Sequence, residues 1–177
     1  TEKRNQILQN VQTKMDERGV KVTIDVKQGV LRIPESVLFA QGDADVKAEG
    51  QQEVFVLSQV LYEVLSEADY RDSVETIFIE GHTDDVPIEN DRFHSNWELS
   101  TQRAINTWNL MRLDQPGLDY LANPNGQPLF SCSGYAETRP ITDDAYDESS
   151  EEGRQANRRI DIRFAMMPPS DSSKIDN

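Results

Sequence analysis

Residues 76–85 read TIFIEGHTDD, an apolar run that breaks at Gly81 into His82, Thr83, Asp84 and Asp85. Thr76 to Glu80 carries apolar side chains on both faces, which predicts a strand inside a sheet and covered on two sides. The polar residues that follow fall where open sheets gather ligand groups, at the carboxyl end of a strand. On either side of this strand the apolar spacing becomes helical. Upstream, Val54, Leu57, Leu61 and Val64 form one stripe of a helix predicted from about Asp45 to Ser66. Downstream, the loop from Gly81 to Asn96 contains Pro87, and residues 96–112 are predicted as the third long helix. Its inner face is assigned Trp97, Thr101, Ala104, Trp108 and Met111, and a neighbouring polar stripe holds Asn96, Ser100, Arg103 and Thr107.

Further out, residues 1–18 are predicted as a helix carrying Ile7, Leu8, Val11 and Met15, stopped by Gly19. Val20 to Val26 alternate as a half-buried strand, Gln28-Gly29 turns the chain, and Val30 to Ile33 returns as a second strand that Pro34 ends. Val37-Leu38-Phe39 is a short apolar run before a loop at Gln41-Gly42-Asp43. Phe130 to Tyr135 is a strand, residues 136–156 are mostly loop, and Ile160, Ile162, Phe164 and Met166 alternate as the last strand. The loop holds an acidic stretch of Asp143, Asp144, Asp147, Glu148, Glu151 and Glu152, read as solvated. Strands separated by long helices need crossovers, so the fold class is α/β (α+β), a mixed sheet with helices packed on it. The organisation expected is a linker helix over 1–19, one domain over 20–167 and a disordered tail over 168–177.

The chain has 177 residues, with 18 Lys and Arg against 32 Asp and Glu, a net charge of −14. That balance excludes a general nucleic-acid binder, which needs a basic footprint, and a basic amphipathic membrane binder. No apolar run approaches the ~18 residues of a membrane span. Cys132 stands alone, so neither an intramolecular disulfide nor a cysteine zinc cage is available. It reads as a small buried hydrophobe rather than a nucleophile. The chain begins TEKRNQ without a visible signal peptide and reads as a fragment whose N-terminal part is missing.

Three segments carry more polar function than a core requires, GHTDD at 81–85, NWELSTQRA at 96–104 and Asn157-Arg158-Arg159, and with GYAETRPI at 134–141 and the run on to NRRIDIRF at 157–164 they make four motifs. In this order and spacing they resemble the OmpA-like peptidoglycan-binding domain, over about Val30 to Phe164. The GHTDDVPI loop, the VLFAQGDADVKAEG segment before it and the EEGRQANRR run resemble its MotB-like branch, the wall-anchoring stator subunits of ion-driven motors. The resemblance implies an OmpA-like βαβαββ core preceded by a helix and hairpin. It also implies a periplasmic domain of a bacterial inner-membrane single-pass protein, working as a homodimer, whose membrane segment lies N-terminal and joins an ion-channel stator partner. No cofactor and no metal are implied, and the domain would not be an enzyme.

The implied ligand is the diaminopimelate of the peptidoglycan peptide stem. Its free end carries an ammonium and a carboxylate on one carbon. The resemblance places the acidic reader at Asp84 and the basic reader at Arg103, since a carboxylate accepts from an ammonium and a guanidinium forks onto a carboxylate. Thr83 and Asp85 would add contacts from the same loop, Phe39 would line the floor, and Asn96 and Arg158 complete the implied set. Read without the resemblance, Asp84 is a turn cap and Arg103 a solvated helix charge. Asn96 is a helix cap, and of Arg158 and Arg159 one is a brace behind Asp84 or its loop and the other a surface charge. Two other classes remain open: a metal-dependent hydrolase using His82, Asp84 and His94, and a pure dimerisation module.

Overall fold

The computed structural model describes residues 1–141 and 149–169. Helix α1 spans Glu2–Glu17 and ends in a Schellman motif, with Gly19 at φ +82° and the Val20 amide donating to the Met15 carbonyl at 2.9 Å. A hairpin of β1 (Thr23–Asp25) and β2 (Val30–Pro34) follows, and only three residues of the predicted first strand pair. Helix α2 (Glu35–Leu38) is one turn, α3 runs Ala48–Leu65, α4 is the turn Ala68–Arg71, and β3 runs Val74–His82. Helix α5 (Asn96–Asp114) leads through a 3-10 turn at Pro116–Tyr120 into β4 (Phe130–Gly134). A seven-residue helix, α6 (Glu151–Asn157), where loop was expected, precedes β5 (Arg159–Met166).

The strands lie in the order β1-β2-β5-β3-β4, all neighbours antiparallel except β3 and β4, which are parallel and joined by α5. The mixed sheet with helices packed on it is the expected fold class. One sheet face presents Leu31, Ile33, Ile77, Ile79, Ile160, Ile162 and Phe164 to α1, α3 and α5 in a single apolar core. Strand β3 is interior, as expected, but among the described residues helices cover only that one face. On the other face β3 places Phe78, Glu80 and His82. Phe78 is shielded by the Arg163 guanidinium, 4.6 Å from its ring centre, which lets an aromatic residue sit on the open side.

Helix α1, expected as a linker, lays Ile7, Leu8, Val11 and Met15 into the same core, each at most 1% exposed. Lys3 reaches Asp69 and Arg18 reaches Glu63, tying both ends of α1 to neighbouring helices. Asp143, Asp144, Asp147 and Glu148 lie outside the described residues, as do residues 170–177 of the expected tail, whereas Glu151 and Glu152 open α6.

Candidate functional site

Strand β3 and helix α5 bring their polar ends to one cleft of about 530 Å³. Past His82 the chain is held by the Thr83 amide on the Ala136 carbonyl, 2.9 Å. Asp84 Oδ1 accepts from the Val86 amide at 3.0 Å, an Asx turn that bends the loop back toward α5. The helix cap is Ser95, whose hydroxyl accepts from the Glu98 amide. Asn96, expected as the cap, instead donates its amide to the Val86 carbonyl at 3.1 Å and fastens the loop to the helix.

Arg103 points into the same cleft, two turns along α5. It is 3% exposed and so is not a solvated helix charge. Its Nη2 donates to Glu35 Oε1 at 2.8 Å and to the Ala40 carbonyl at 3.2 Å, and its Nε donates to the Asp43 carbonyl at 2.8 Å. The guanidinium lies 4.8 Å from the Phe39 ring centre, so Phe39 is the floor beneath it. Burial pulls the Arg103 pKa below its ordinary value, against the pull of Glu35 and Asp43 in the other direction.

Asp84 is paired with Arg158, Oδ2 to Nη1 at 2.6 Å. The same guanidinium gives its Nε to Glu35 Oε2 at 2.9 Å and its Nη2 to Glu151 at 3.4 Å. Burial acts to lower the Arg158 pKa, but Asp84, Glu35 and Glu151 outweigh it and the net direction is up. Asp85 is half exposed and pairs with Arg154 at 2.9 Å. Phe39, Thr83, Asp84, Asn96, Arg103 and Arg158 therefore line one cleft, while Asp85 stands beside it through Arg154. Glu35, which bridges both arginines, was not anticipated. Its sequence signal is a lone carboxylate between Pro34 and the apolar Val37-Leu38-Phe39 run, a place where burial demands a partner.

Two facing assignments on α5 are corrected. The residues of the polar stripe, Asn96, Ser100, Arg103 and Thr107, are all buried, whereas Trp97, at 51%, and Thr101, both assigned to the inner face, are exposed. The stripe can be buried because every member is bonded. Ser100 Oγ accepts from the Ala136 amide at 3.0 Å and Thr107 Oγ1 donates to the Arg103 carbonyl at 2.8 Å, beside the bonds of Asn96 and Arg103 already described. Trp108 is half-buried and stacks on Phe130. Of the two arginines read as one brace and one surface charge, Arg158 braces Asp84, and Arg159 is 6% exposed and donates to Asp161 at 3.0 Å, so neither is a free surface charge.

His82 turns away from this cleft, into the open sheet face. There Glu80, His82 and Asp161 form the one cluster of such groups among the described residues with metal-ligand spacing. Arg163 holds Glu80, and Arg32 and Arg159 hold Asp161, at 2.9–3.0 Å. A divalent cation would enter beside three guanidinium groups, and the electrostatics oppose it. His94 is exposed on the far loop and Asp84 faces the other cleft, so His82, Asp84 and His94 do not form a hydrolase triad. The Cys132 thiol is pushed up to about 11 by burial, which leaves it protonated and a poor nucleophile.

A mixed sheet whose third strand runs into a GHTD loop, packed on a helix that buries an arginine beside that loop, defines an OmpA-like ligand-binding domain. A profile of the OmpA family matches residues 38–155, and the chain belongs to that family. Among curated relatives it is 32% identical over 152 residues to Motility protein B of Bacillus subtilis (strain 168), covering 86% of this chain and 47% of that protein. The chain spans about half the length of the curated relatives it matches. Among solved structures, the cell wall anchor of the T6SS from Pseudomonas aeruginosa has TM-score 0.64 at 25% identity, over 89% of this chain and 96% of that one. The periplasmic domain of Helicobacter pylori MotB (residues 78–256) has TM-score 0.60 at 26% identity, over 82% and 80%. The family is the one that the four sequence motifs resemble, and the relatives named Motility protein B belong with the branch that the GHTDDVPI, VLFAQGDADVKAEG and EEGRQANRR segments resemble.

Proposed function

We propose that the chain binds the peptide stem of peptidoglycan at its diaminopimelate residue, without cleaving it. In the whole protein this would anchor a MotB-like stator subunit of an inner-membrane ion channel to the cell wall from the periplasmic side. The observation that carries this reading is the convergence of Asp84 and Arg103, with Arg158 between them, on one cleft. An acidic and a basic reader in one cleft suit a ligand end bearing an ammonium and a carboxylate on the same carbon. The naming of relatives as a motility protein and as a cell wall anchor supports the same reading.

A chain of net charge −14 approaches an anionic polymer against its own field. Screening over ~8 Å at physiological salt removes most of the distant repulsion, and the positive charge that matters is local to Arg103 and Arg158. Single-site affinity is modest on this reading, and a homodimer gains the rest from effective concentration along a lattice of repeated stems. No helix among the described residues is long and apolar enough to cross a membrane, so the reading requires a membrane segment N-terminal to this chain.

The test is incubation with purified diaminopimelate-type sacculi, followed by sedimentation and muropeptide analysis of the supernatant. Co-sedimentation with an intact muropeptide profile is expected. Absence of co-sedimentation, or release of fragments, would overturn the reading.

A further inference from the structure

The two charges that would read the ligand are already occupied. Glu35 Oε1 sits on Arg103 at 2.8 Å, Arg158 sits on Asp84 at 2.6 Å, and Glu35 Oε2 meets Arg158 at 2.9 Å. The four side chains form one alternating row, Arg103–Glu35–Arg158–Asp84, of two positive and two negative charges. Glu35 is 9% exposed and Asp84 8%, so a charge added here without a partner is poorly screened by water. A ligand carboxylate that forks onto Arg103 through Nη2 must therefore take the place of Glu35, and an ammonium that meets Asp84 Oδ2 must take the place of Arg158.

We infer that Glu35 sets the ligand specificity of this cleft, acting as the internal stand-in for a ligand carboxylate as Arg158 does for a ligand ammonium. The inference rests on the reading of the cleft as the zwitterion site. A zwitterionic end delivers its carboxylate to Arg103 and its ammonium to Asp84. The displaced Glu35 and Arg158 keep each other, in a contact they already make. Every charge of the row remains paired and the net charge of the row with its ligand stays at zero. A ligand bearing only a carboxylate frees Glu35 in the same way but leaves Asp84 and Arg158 as they were. It adds one negative charge to a row that has no spare positive one, Lys47 lining the cleft outside the row, so at Arg103 it is rejected by an uncompensated charge rather than by shape. A ligand bearing only an amine fails for the mirror reason.

Removing either stand-in unbalances the row in a defined direction. Glu35→Gln keeps the shape and an amide oxygen that accepts from Arg103, but leaves one surplus positive charge, which a simple carboxylate satisfies. Arg158→Gln leaves one surplus negative charge, which a simple amine satisfies. Arg158 has a side chain 27% exposed, so its loss is tolerated by the fold more readily than a change at Glu35.

The experiment is calorimetric titration of the wild-type chain, Glu35→Gln, Glu35→Asp and Arg158→Gln. The probes are meso-diaminopimelate, pimelate (the same carbon chain with carboxylates and no amines) and cadaverine (amines and no carboxylates), with a thermal melt of each variant. The wild type should prefer meso-diaminopimelate over both single-charge probes. Glu35→Gln should shrink the preference over pimelate by about tenfold or more, and Glu35→Asp, which keeps the charge, should preserve it. Arg158→Gln should shrink the preference over cadaverine by a similar factor. A wild type that binds neither meso-diaminopimelate nor sacculi overturns the functional reading, and this inference with it. A wild type that binds meso-diaminopimelate, with selectivity unmoved in folded Glu35→Gln, overturns the inference alone. If Glu35→Gln fails to fold, Arg158→Gln decides by the same criterion for cadaverine.

Discussion

Gly81 lies directly beneath Ser100. A Cβ built on Gly81 would stand 2.0 Å from the Ser100 carbonyl oxygen and 2.8 Å from its carbonyl carbon. Its register partner on β4, Gly134, is pressed as closely against Thr101, with a Cβ position 2.5 Å from the Thr101 amide nitrogen. Two adjacent strands thus omit side chains where α5 crosses them, and the helix settles onto the backbone itself. This close approach sets the height of α5 over the sheet, and so the position of Arg103 relative to the loop that starts at Gly81.

Gly81→Ala should therefore damage both fold and cleft. The obstacle is helix backbone, which cannot rotate aside, and overpacking of this kind costs about 1–3 kcal/mol or more. A lower melting temperature together with weakened sacculus binding is expected. A variant that melts and binds like the wild type would show that α5 can lift without consequence.

Much of the architecture was legible because period and punctuation agree. Ile160, Ile162 and Phe164 alternate and are buried on one face, and Gly19 ends α1 where the apolar stripe stops. The facing of α5 was not legible, because hydropathy sends Arg, Asn and Ser outward and Trp inward. That rule fails when each polar group has an internal partner, as Arg103 has in Glu35 and Ser100 in the Ala136 amide. Helix α6 was missed because EEGRQAN is short and polar, although Ser150 caps it through the Gly153 amide. The motifs named Asp84, Arg103 and neighbours that line one cleft. They did not name Glu35, since its role depends on a partner 68 positions away, a separation no local pattern reports.

Leu8→Ala should destabilise the whole domain. Leu8 is 0% exposed within the main core, and a truncation of this type costs about 2–5 kcal/mol. Denaturant unfolding should show one transition with a lowered midpoint. An unchanged midpoint would mean that α1 behaves as the detachable linker its sequence suggests.

Stability should fall as the pH drops from neutral into the range below 6.5. His82 is 4% exposed, and burial holds its pKa below the ordinary 6.5, although Glu80 and Asp161 pull it up. The unfolded chain therefore takes up a proton that the folded chain resists, so the stability linked to this group is present above 6.5 and is lost as pH falls through the lowered value. Glu80 and Asp161 are also lowered, each against the upward effect of burial, by His82 and Arg163 and by Arg159 and Arg32 respectively. Their contribution disappears further down, below the ordinary carboxylate range. Melting curves between pH 7 and 5 should decline for the wild type and flatten for His82→Gln. Parallel slopes would remove His82 from this dependence.

Arg103 carries two roles at once, and its variants should separate them. Arg103→Ala strips Glu35 of one partner, leaves the Asp43 carbonyl without its donor and the Ala40 carbonyl with the Asp43 amide alone, and exposes the face of Phe39. Breaking one side of a buried pair costs about 3–5 kcal/mol, so this variant should melt early as well as lose binding. Arg103→Lys restores the charge but not the fork, and one ammonium cannot serve Glu35 and both carbonyls in the same geometry. It should melt nearer the wild type and still bind sacculi poorly, by roughly thirtyfold or more if the lost contact is worth the ~2–5 kcal/mol typical of a truncated charge pair. At Asp84 the order should be Asn milder than Ala. Asparagine keeps an oxygen for the Val86 amide that now bonds Asp84 Oδ1, and so keeps the turn, whereas alanine loses the turn and the charge together. Sacculus pull-down paired with a thermal melt of each variant separates lost affinity from lost fold. Normal binding by a stably folded Arg103→Lys would show that a point charge suffices at this position and that no fork onto a ligand carboxylate is made.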